Sequence, residues 1–68
     1  MTKFQRWLYK RIDEDSPTGD FARDAIDDPN FPKNITGKKI REHLDGSPDY
    51  IINVGLRALI DYKLNRKQ

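Results

Sequence analysis

RIDEDSPTGDFARDAIDDPNFPK (residues 11–33) holds seven carboxylates between positions 13 and 28, with Arg23 the one base among them. Such density suggests a metal loop, a catalytic acid cluster or a solvated helix face. The calcium loop is tested by register, since it needs alternating oxygen ligands, glycine sixth and a bidentate Glu twelfth. Counting from Asp13 puts Thr18 sixth and Asp24 twelfth; counting from Glu14 puts Gly19 sixth but Ala25 twelfth. Neither frame fits. Acid–base catalysis would need one carboxyl set apart by burial and facing a cleft, and nothing in the stretch singles one out. Ser16-Pro17 instead spells a helix start, with a hydroxyl to cap and a proline whose missing N–H costs nothing at the first position. Phe21, Ala22, Ala25 and Ile26 then make a narrow apolar stripe, and Pro29 stops the helix. The acids belong to the solvated side of that helix. Phe31, close to two prolines, is expected to return to the core from the loop.

Working outward, the remaining punctuation predicts three more helices. Residues 2–12 carry Phe4, Trp7, Leu8 and Ile12 at helical spacing, with Thr2 as cap. Lys10 and Arg11 stand near the end favoured by cations. Thr36 caps a third helix whose Ile35 and Ile40 have hydrophobic-staple spacing, and Gly46 ends it. Ser47-Pro48 opens the longest helix, extending to about residue 66, with Ile51, Val54, Ala58, Leu59 and Tyr62 on a broad face. Leu56 and Ile60 point away from that face. Gly55 costs roughly 1 kcal/mol inside a helix, so it marks either a break or a close helix–helix approach; close approach is the expectation. No strand alternation, internal repeat or low-complexity tract appears.

Sixty-eight residues make a single helical domain (1–68), near the lower limit for a core without staples. Absence of cysteine excludes disulfides and thiolate zinc sites, and one histidine makes a zinc site from the rest unpromising. No metal, cofactor or small-molecule substrate is expected, and no catalytic residue is assigned. His43 reads as a surface or half-buried residue. The chain lacks a signal-peptide stretch and any run near the roughly 20 apolar residues that span a bilayer. A cytoplasmic location without membrane contact is the plain expectation.

Charge is segregated although the net is only +2. Asp20, Asp24, Asp27 and Asp28 form a candidate acidic interaction face. Lys38, Lys39, Arg41, Arg57, Lys63 and Arg66 form a candidate basic face, and Leu56 with Ile60 a candidate apolar docking pair. Trp7 and Tyr62 could stack on bases, but their positions on apolar faces favour core packing.

Phe4, Trp7 and Leu8, then Gly19, Asp20, Phe21 and Ala22, then Asp28, Phe31, Pro32 and Lys33 together resemble the YozE-type domain of small bacterial proteins. "KKIREHLDG" and the long last helix match its layout more loosely. The resemblance covers nearly the whole chain. It implies an all-α, sterile-alpha-motif-like bundle of four or five helices, with no known catalytic activity and no established ligand whose residues could be carried over. Under it, Gly19 would permit the turn into the second helix. Folds of that kind often associate through an acidic middle surface on one copy and a basic end-helix surface on another. By analogy, the first functional expectation is a non-enzymatic interaction module binding a protein or itself through oppositely charged faces. The second is a small DNA-binding protein using Lys38, Lys39, Arg41 and the basic C-terminal helix on phosphates. The long, proline-bearing loop at 28–36 disfavours a helix-turn-helix. A DNA mimic is opposed by the positive net charge.

Overall fold

Helix starts fall where side chains can satisfy orphan backbone donors. In a computed structural model describing residues 2–65, the fold is all-α: four helices, and no strand among the described residues. α1 spans Lys3–Tyr9, α2 Pro17–Asp27, α3 Gly37–His43 and α4 Asp49–Asn65. Thr2 Oγ1 accepts from Gln5 N at 3.1 Å while Gln5 Oε1 accepts from Thr2 N at 2.9 Å, a complete capping box. Ser16 Oγ accepts from Gly19 N, and Thr36 Oγ1 from Lys39 N, both at 3.1 Å. α4 starts one residue later than a Ser47 cap implies, with the Pro48 carbonyl accepting from Ile51 and Ile52.

α1 stops at Tyr9, short of the expected Ile12. Arg11 explains the difference. Its guanidinium lies 3.6 Å from the Trp7 ring centroid and donates to the Trp7 carbonyl at 3.0 Å. That carbonyl is the one Arg11's own N–H would take in a continuing helix; the N–H turns to Leu8 O instead, at 2.8 Å. Ile12 still packs against the core from the turn that follows.

Phe4, Leu8, Phe21, Ala22, Ala25, Phe31, Ile40, Ala58 and Leu59 form that core, contributed by all four helices and the α2–α3 loop. Phe31 is the expected plug, its ring centroid 6.0 Å from Phe4 and 6.3 Å from Phe21. Trp7 and Tyr62 pack with Phe4 in an aromatic group, at 6.1 and 5.2 Å from its centroid, which gives both a packing role. Gln5 is the buried polar residue; its Nε2 donates to Ala25 O at 3.1 Å, joining α1 to α2.

α4 runs unbroken through Gly55, and the close approach is real. A Cβ there would sit 3.2 Å from Ile40 Cγ2 and from Leu44 Cδ1, both brought by α3 and its cap. Gly46 ends the α3 turn with φ of 89°, the backbone region glycine adopts without a Cβ clash. No helix among the described residues is long and apolar enough to cross a membrane.

Candidate functional site

Residues Asp20, Asp24 and Asp28 recur at i, i+4 and i+8, so they line up along one side of α2. They rim a groove of about 200 Å³ whose floor is apolar. Phe21 and Ala25 enter it from α2, Phe31 from the loop, Leu44 from the end of α3, and Ile51 and Val54 from the start of α4. Tyr50 stands at its mouth, 66% exposed. The volume is below that of ordinary metabolite sites and suits one or two apolar side chains.

The three rim carboxylates are engaged differently. Asp20 pairs with Arg23 in the next turn. Asp28 accepts from the Asn30 backbone N–H at 2.8 Å and faces His43 Nε2 at 2.5 Å. Those bonds, the backbone one first, hold its carboxyl below the ordinary aspartate range, against a smaller opposing effect of desolvation. Asp24 is exposed and joins no ion pair among the described residues.

Arg23 resolves the composition of the opening stretch. Besides Asp20 it donates to the Ile12 and Glu14 carbonyls, clamping the 12–14 turn onto α2. Among the described residues no cluster of three or more His, Asp and Glu is placed to hold a metal ion. Asp27 is exposed but does not line the groove, so the expected acidic face divides.

The basic and apolar candidates divide as well. Lys38, Lys39 and Arg41 are exposed on α3, and Lys38 lies 3.9 Å from Glu42. Arg57 and Lys63 are both exposed on α4, but six positions at about 100° per residue set them on different sides. Arg66 lies outside the described residues. Leu56 is half-buried against the core, its Cδ2 3.7 Å from where a Gly37 Cβ would be. Ile60 is exposed, at 54%, and its companion is Leu64 one turn on, at 70%. Leu64 was missed by the sequence reading because it lies where the periodic face was fading; the i, i+4 spacing from Ile60 was the available signal.

The groove itself has no sequence signature, since four segments of chain, α2, the loop after it, the end of α3 and the start of α4, meet to form it. A family model described as the YozE SAM-like fold matches residues 3–54. No curated protein and no solved structure matches the chain.

Proposed function

The chain belongs to the YozE SAM-like family, and from that premise we propose that it is a non-enzymatic protein-interaction module. Its docking site is the groove between α2 and the α3–α4 corner, and its first partner is a second copy of the chain. The observation that carries the reading is the row Asp20, Asp24 and Asp28 along an apolar hollow. A hollow of that size accepts an apolar side chain, and a carboxylate rim favours a cation beside it. Arg57, Ile60 and Leu64 share a stripe of α4 at i, i+3 and i+7, all exposed. They supply both features. Asp61 borders the stripe, so the apolar pair provides the contact and charge sets its orientation.

Sedimentation velocity across a concentration series tests the reading. The wild type is expected to associate reversibly, and Asp24→Lys and Leu64→Glu each to leave monomer at every concentration. Association unchanged by either substitution would refute the docking site.

A further inference from the structure

Far along α4 from the groove, lysines distant in sequence border one pocket. Lys3 opens α1, Lys33 stands in the α2–α3 loop and Lys63 lies in the last turn of α4. All three line one pocket of about 300 Å³, together with Thr2, Asn34 and Thr36. Phe4 and Tyr62 contribute its aromatic wall.

We propose that this pocket is a binding site for a phosphate group. No carboxylate lines it, and none of the three lysines joins an ion pair among the described residues. Three cations from separate segments therefore share a hollow that holds no anion of its own. The polar groups between them are suited to donate. Thr2 and Thr36 already accept from Gln5 N and Lys39 N, and each keeps a hydroxyl hydrogen. Asn34 adds an amide with two donors. A ligand with several acceptor oxygens and close to two negative charges satisfies this set better than a carboxylate does. Lysine, a mobile point charge, suits a tetrahedral anion approached from several sides.

This site differs from the basic face read from sequence. Of that set only Lys63 is in the pocket; Lys38, Lys39 and Arg41 lie outside it. The proposal is also independent of the groove, which shares no lining residue with the pocket.

The test is an NMR amide-shift titration of ¹⁵N-labelled full chain with inorganic phosphate, chloride replacing it at constant ionic strength. A mononucleotide and a short DNA duplex are titrated in parallel. Saturable shifts are expected at Thr2, Lys3, Asn34 and Thr36, with affinity falling about tenfold in Lys33→Gln and Lys63→Gln. Lys33→Arg should recover part of the loss, and Asp24→Lys should leave the isotherm unchanged. Saturation by phosphate or the mononucleotide assigns a small phosphorylated ligand. The same amides responding to duplex alone would assign a nucleic-acid backbone; both results keep the site. Equal shifts with chloride, isotherms indifferent to both Gln variants, or shifts centred on Lys38, Lys39 and Arg41 would overturn it.

Discussion

Asp28 illustrates how much one side chain settles locally. It caps the end of α2, accepts the Asn30 N–H that shapes the loop, and meets His43 across from α3. His43 in turn lies edge-on to Phe31, 5.5 Å between centroids, so the pair braces the aromatic plug. Because both bonds favour the ionised carboxylate, the folded-state pKa lies below the unfolded one. A depressed carboxyl contributes stability that is fully present above the unfolded value, near 4, and lost as pH falls through the folded one. Urea melts below about pH 4 should therefore show the wild-type midpoint declining toward acid. Asp28→Asn should decline less steeply over that window. An equally steep decline in the variant would move the acid sensitivity to other carboxylates. The sequence placed Asp28 on an interaction face; its bond to His43, fifteen residues away, has no local signal.

At the scale of elements, the starts of helices were legible and their mutual approach was not. Thr2, Ser16 and Thr36 cap because a hydroxyl before a helical pattern needs only its own next turn. The end of α1 depends on Arg11 folding over Trp7, which spacing alone does not announce. Gly19 shows the same divide. Read as a turn former, it is in fact within α2, buried where the 12–14 segment passes against the helix at Glu14. A Cβ there would overlap Glu14 O and come within 2.9 Å of Glu14 C, both backbone atoms. Backbone cannot swing aside as a side-chain tip can, and Arg23 pins this same turn. Gly19→Ala should thus lower stability by about 1–3 kcal/mol, the usual range for overpacking, despite alanine's better helix propensity. Gly55→Ala meets only side-chain atoms, at 3.2 Å or more, so the propensity gain of about 1 kcal/mol offsets much of the crowding. Denaturant midpoints for the two variants check this; Gly55→Ala being the more damaging would show that the α3–α4 contact, not the Glu14 crossing, is the rigid one.

For the whole molecule, segments of one sign in the sequence do not become faces of one sign in the fold. A helix distributes neighbours around its axis, so Asp24 and Asp28 reach the groove while Asp27 does not, and Arg57 parts from Lys63. What survives is a groove near the start of α4 and an apolar stripe near its end. Tyr50 and Leu64 are fourteen residues apart, about 21 Å along the helix. Groove on stripe is a contact between unlike surfaces, and each copy carries both. Asp24→Lys spoils a copy's groove and keeps its stripe; Leu64→Glu spoils the stripe and keeps the groove. Each variant alone has no complementary pair to form. Mixed, they have one: the stripe of the first in the groove of the second. Sedimentation of the equimolar mixture should show a 1:1 complex that grows no further at any concentration, weakening as added salt screens the Asp24–Arg57 attraction. The wild type, with both surfaces intact, should either close as a two-fold dimer with two such contacts or extend beyond it. A mixture that stays monomeric while the wild type associates would mean that the pairing of acid rim with α4 is wrong, and a variant that still associates alone would mean a like-on-like contact, groove to groove for Leu64→Glu or stripe to stripe for Asp24→Lys.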